Sequence, residues 1–130
     1  MQKVNQKEPF RQGEVSFYPL EWLKEKGLID HPSFKLKEPV HVKPENGKLV
    51  IAHSETGHHH CIDIERNKYA QFLIDETNAF IGFLRVDGVP VELEHLRTDH
   101  KHETYHIAEG EYIARYHAQE TPKGWERVID

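Results

Sequence analysis

Histidine is the residue this chain over-uses, with 11 in 130 positions against a single cysteine, Cys61. Most of them fall in two clusters. The first is Gly57-His58-His59-His60-Cys61. In extended backbone, alternate side chains share a face, so His58 and His60 project together about 6.5–7 Å apart while His59 turns away. Two imidazoles so placed can both reach a metal at about 2.0–2.1 Å. The second cluster runs from His95 through Asp99, His100, Lys101, His102 and Glu103 to His106, and its His100/His102 pair repeats the H-x-H spacing. If two strands bring these segments face to face, they offer three or four nitrogen ligands, the number a zinc or iron site requires. The ligand set read this way is His58, His60 and His102, with His95 or His100 as the fourth, around a divalent transition metal (Zn, Fe, Mn or Ni). Glu55 and Glu103 are the catalytic candidates: either carboxylate could orient an imidazole or act as a base on metal-bound water. The plainer alternative is a hydrated strand face and a solvated loop of mixed charge. His31, His41 and His117 stand alone and fit that alternative, while His53 and His106 lie near a cluster but off its spacing.

A lone thiol supplies neither an internal disulfide nor a cysteine-rich zinc knuckle, so histidines and carboxylates must hold any metal. With 22 acidic and 17 basic residues the net charge is −5, which argues against a broad nucleic-acid footprint. No apolar run approaches the roughly 18 residues of a membrane span. The N-terminal MQKVNQKEPFRQGE lacks the apolar stretch of a secretory signal, so the expected setting is cytoplasmic. The expected partner is a small molecule, with a homo-oligomer left open. The fingerprints of P-loop, Rossmann and serine-hydrolase chemistry are missing.

The elements that must position the histidines are mostly short strands. Residues 1–12 read as a flexible polar arm and 13–130 as a single β domain. Val15 and Phe17 alternate as a strand, and Pro19 to Gly27 reads as a brief helix stopped by glycine. Lys37 to Lys43, holding Val40 and Val42 between Pro39 and Pro44, is an edge strand at best. Asn46-Gly47 is a hairpin turn signal. Strands follow at 48–53, 58–64, 70–74, 79–86, 89–93 and 111–117, divided by turns at Glu76-Thr77-Asn78, Asp87-Gly88 and Glu109-Gly110. This pattern predicts a mainly β fold, a single small barrel or sandwich with one short N-terminal helix.

The stretch from Leu49 to Ile62, with His53, Glu55, Gly57, His58 and His60, resembles a family of small uncharacterised bacterial and phage proteins. Those carry a G-H-x-H segment, then H-x-x-H, then G-x-Y. Gly110-Glu111-Tyr112 fills the last position, and the likeness runs from about Gly13 to the end. The H-x-x-H segment departs: either Asp99 takes its first position, or His95 does with an insertion after it. A G-H-x-H strand followed by a later histidine is also similar to the cupin scheme, although the downstream glutamate and proline-glycine of that scheme are absent. The resemblance implies a shared metal-site architecture and no named activity. Three functions compete on these residues: a cupin-like metalloenzyme acting on a small molecule, a non-catalytic metal-stabilised phage or bacterial accessory or binding protein, and a metal-free histidine nuclease or phosphoesterase. The third rests on His102-Glu103-Thr104, an H-x-T motif without a second copy. Strand alternation separates His59 from its neighbours. His59→Ala should therefore keep metal affinity within about twofold while His60→Ala loses at least tenfold in isothermal titration; equal losses would mean that 58–60 is not extended.

Overall fold

The computed structural model describes residues 2–3, 7–12, 14–52, 60–64, 69–88, 90–96, 102–121 and 124–127. At 2–3, 52, 60, 94–96, 102–105, 118–121 and 124–127 it describes the backbone alone. In chain order the strands are β1 (Gln2–Lys3), β2 (Phe10–Gln12), β3 (Val15–Pro19), β4 (Pro39–His41), β5 (Lys48–Ala52), β6 (His60–Asp63), β7 (Ala70–Asp75), β8 (Asn78–Val86), β9 (Val91–Leu96), β10 (His102–Ile107), β11 (Gly110–Tyr116), β12 (Ala118–Thr121) and β13 (Gly124–Arg127). A helix α1 (Leu20–Glu25) and a 3-10 turn at Pro32–Phe34 lie between β3 and β4. The strands form a five-stranded sheet in the order β1-β10-β9-β6-β5, a six-stranded sheet in the order β2-β3-β11-β8-β7-β4, and the hairpin β12-β13. Pairing is antiparallel except where the two-residue β1 runs parallel to β10.

Period-two alternation explains how the two large sheets meet. Leu49, Ile51, Ile62, Val91, Leu93 and Ile107 from the five-stranded sheet share one buried cluster with Val15, Phe17, Phe72, Leu84, Tyr112 and Tyr116 from the other. Two polar ties cross this core. The Tyr116 hydroxyl donates to the Ile51 carbonyl, and the Gln12 amide donates to the Leu93 carbonyl at 3.4 Å. The outer face of the six-stranded sheet carries a second cluster, in which Leu23 of α1 packs on Ile81 and Ile113, with Tyr18, Trp22 and Phe34 around them. At the β10–β11 turn the Tyr112 hydroxyl donates to the Ala108 carbonyl at 2.8 Å, and burial raises its pKa to about 12, so it stays a donor at neutral pH.

The mainly β fold and its short helix match the expectation, but the sheets do not close into a barrel. Among the described residues each keeps two edges, β1 and β5 in one and β2 and β4 in the other. The Asn46-Gly47 turn shows why. Both residues have positive φ, 51° and 75°, and Glu45 and Lys48 exchange backbone hydrogen bonds across them, as a type I′ turn demands. Yet the strands on either side do not pair. Pro44 has no N–H to extend a ladder, β4 pairs with β7, and β5 pairs with β6, so the turn hands the chain from one sheet to the other. One segment also differs from expectation. Phe10–Gln12, placed in the arm by its polarity, pairs with β3, and Gln12 is buried by its tie to β9. His102–Ile107, in the second histidine cluster, forms β10, as the reading of two facing strands required.

Two positions carry more than packing. Gly82 on β8 lies under the Phe72 ring, where a Cβ would stand 2.6 Å from Phe72 Cζ and 3.1 Å from the Leu73 carbonyl oxygen. Asp75 ends β7 as a clamp: its carboxylate accepts from the backbone N–H groups of Lys37 at 2.8 Å, Glu38 at 3.3 Å and Thr77 at 2.8 Å, and from the Thr77 hydroxyl at 2.7 Å. The Lys37 amide first and the Thr77 hydroxyl next lower its pKa from 3.8 to about 2, against the opposing effect of burial. Gly82→Ala should cost about 1–3 kcal/mol in urea denaturation, the range for overpacking a filled core; an unchanged midpoint would show that the Phe72 ring moves freely. For Asp75, the native state binds the proton less readily than the unfolded chain. Its stabilisation is thus complete above pH 4 and lost as pH falls towards 2. Denaturation midpoints of the parent and Asp75→Asn should converge over that window, and a constant gap from pH 5 to pH 2 would contradict the clamp.

Candidate functional site

Backbone register decides which of the candidate residues meet. In the five-stranded sheet His60 of β6 lies directly opposite His95 of β9, and His95 lies opposite Glu103 of β10. Ala52 of β5 stands on the other side of His60. The three positions from both histidine clusters therefore form one cross-strand row. Adjacent strands lie about 4.8 Å apart, and directly opposed Cα atoms about 4.5–5.5 Å. By alternation, the row has the parity of Ile62 on β6, Leu93 on β9 and Ile107 on β10, all of them in the shared core. Both inter-sheet ties fall beside it: Leu93 is two residues from His95, and Ile51 adjoins Ala52. The row thus continues the inner face of the sheet at an end where the two sheets are fastened.

His102 sits one step away, opposite Leu96. Its position alternates with that of Glu103, so it belongs with His106 on the other face of β10. His106 lies opposite Glu92, with Nε2 3.9 Å from the Glu92 carboxylate. His53, Glu55, His58, His59 and His100 lie outside the described residues. Among the residues whose side chains are described, no three His, Cys, Asp or Glu gather as a metal-binding group. Of the isolated histidines, His31 accepts from the Ser33 N–H at 3.1 Å and caps the 3-10 turn, and His41 is exposed on the edge strand β4.

His117 has a more specific setting. Its Nε2 lies 3.0 Å from Ser16 Oγ, and its backbone N–H donates to the Glu14 carbonyl at 2.9 Å. Burial and then the positive charge of Arg11 lower its pKa, while the buried Glu14 acts in the opposite direction. Ser16 is the centre of a second row on the outer face of the six-stranded sheet, opposite Arg11 on β2 and Arg115 on β11. From sequence His117 stood among the isolated histidines, and Arg11, Ser16 and Arg115 were not singled out, because 101 positions separate Ser16 from His117 and no local motif joins them. At the opposite end of the same sheet, a cleft of about 230 Å³ between α1 and the β10–β11 turn is lined by Glu21, Lys24, Glu109 and Glu111. No histidine is among its described lining residues.

A model of the domain family DUF8820, described as a domain of unknown function, matches residues 11–117. No curated protein matches the chain, and no solved structure does.

Proposed function

Since the chain belongs to the DUF8820 family, whose description assigns no activity, we propose from its own residues that it is a metal-binding β domain, with His60 and His95 as ligands and Glu103 as the carboxylate beside them. The observation that carries this reading is the single register row that joins both histidine clusters. Three residues in one row on adjacent strands span about 10 Å between their outer Cα atoms. Two imidazoles and a carboxylate can converge above the middle strand across that distance. His95 replaces His102 as the partner of His60 in this proposal, because alternation assigns His102 to the other face.

Two histidines and one carboxylate form a set that suits Zn(II) or Fe(II) and leaves a coordination position for water or a small substrate. This supports the metalloenzyme reading over a closed structural site. Neutral imidazole is the form that binds metal. The bound ion would act as a Lewis acid on the open position, and Glu103 would supply negative charge to the set.

Tag-free purification followed by elemental analysis and absorption-edge spectroscopy should find about one metal per chain with two nitrogen ligands from imidazole or more. His60→Ala and His95→Ala should each abolish the metal, Glu103→Gln should weaken it by about 10–100-fold, and His102→Ala should retain it. A loss in His102→Ala equal to that in His95→Ala would overturn this ligand set, and metal-free chain after incubation with zinc or ferrous iron would overturn the metal reading itself.

A further inference from the structure

The row centred on Ser16 uses chemistry that the metal proposal does not. Arg11, Ser16 and Arg115 occupy successive strands β2, β3 and β11 in one register line, which ends on the buried Ile81 of β8. His117, two residues beyond Arg115 on the same face, reaches Ser16 Oγ at 3.0 Å. The setting is graded: Arg11 is exposed, while Ser16, Arg115 and His117 are half-buried. The Cα atoms of the two arginines stand about 10 Å apart with the serine between them, a separation that two guanidinium groups can close over one small anion. Among the described residues no carboxylate pairs with Arg115, whereas Arg85 is held by Asp87 at 3.0 Å.

We propose that Arg11, Ser16, Arg115 and His117 form a binding site for a tetrahedral oxyanion, the phosphate group of a small ligand. Guanidinium groups present N–H donors in a planar fork that matches phosphate oxygens. Ser16 adds a hydroxyl donor at the centre. When His117 Nε2 carries the proton and donates to Ser16 Oγ, the hydroxyl hydrogen is free to point at the anion, so the ligand selects that tautomer or the imidazolium. The charges that act on the imidazole are Arg11 from β2 and Glu14, just before β3, and Arg115 of β11 is two residues away on the same face. With Glu14 offsetting one arginine, the neutral-histidine site keeps a net positive charge within a chain of net charge −5. Burial first and the positive charge of Arg11 second depress the His117 pKa, and a bound anion should offset the Arg11 part.

The test is a titration of the full chain with inorganic phosphate at constant ionic strength, followed by amide and imidazole NMR, with acetate and chloride as parallel arms. Saturable shifts are expected at Ser16, Arg115 and His117, with the His117 pKa moving up when phosphate is bound. Arg115→Gln and Ser16→Ala should each weaken phosphate by about tenfold or more, while Arg85→Gln leaves it unchanged. Two variants guard against one failing to fold. Linear shifts that chloride reproduces, parental affinity in both variants, or acetate binding as tight as phosphate would overturn the site. Saturable shifts confined to His60 and His95 would assign the anion to the metal row and overturn it as well. The two proposals fail separately, since metal loss in His60→Ala leaves the Ser16 row intact.

Discussion

The register of the five-stranded sheet is the constraint on which the rest of this structure depends. Side chains alternate with a period of two, so a slip of one residue would carry an entire strand's apolar set from the core to the other face. Ile62, Leu93 and Ile107 have no exposure, and each sits on a different strand of that sheet. Their burial against Val15, Phe17 and Tyr112 of the opposite sheet removes the alternative registers. Once those three are committed to the core, His60, His95 and Glu103 have no freedom left in their row. The apolar packing, rather than any attraction among the polar residues, brings the two histidine clusters together.

The same logic acts on the six-stranded sheet with a different result. Its inner residues, Val15, Phe17, Ala114 and Tyr116, are buried against the first sheet, and this turns Ser16, Arg115 and His117 outwards. At one end of that outer face, α1 and the 3-10 turn cover Ile81 and Ile113 with apolar side chains. At the other end the face carries arginine, serine and histidine. One sheet therefore supplies a wall of the core, a platform for a helix and a polar surface, and the division follows from where the helix stops. Gly27, with φ of 70°, takes the left-handed conformation that ends α1 after fewer than two turns.

The two polar ties between sheets have a disproportionate effect on position. A hydrogen bond of this kind contributes about 1 kcal/mol net, a small term beside the apolar contacts around it. Its geometry, however, is directional. The Tyr116 hydroxyl on the Ile51 carbonyl and the Gln12 amide on the Leu93 carbonyl set how far one sheet can slide over the other, and both lie beside the His60 row. The site proposed at the rim of the two sheets would need that restraint, because packing of aliphatic side chains alone tolerates small shifts.

Much of the local structure was legible in the residue order. Alternation at Val15 and Phe17 marked β3, proline and glycine bounded α1, Pro39 and Pro44 marked an edge strand, and Asn46-Gly47 marked a turn with two positive φ values. These features depend on neighbours within a few positions, and their physics is local. The H-x-H spacings marked the two segments that enter the proposed metal site. Which histidines face one another was a different kind of question. It depends on pairing between β6, β9 and β10, and that pairing is chosen by the burial of Ile62, Leu93 and Ile107 against residues far away in the chain. His102 and His95 are equivalent by composition, yet the register separates them. The Ser16 and His117 pair, the Asp75 clamp and the exchange of the chain between sheets at Asn46-Gly47 likewise left no local signature. Sequence alone determined where the chain turns and which residues carry reactive groups, because those properties are set residue by residue. The tertiary structure decided which groups share a row, because only the closing of a common core selects one register from several that the strands could adopt.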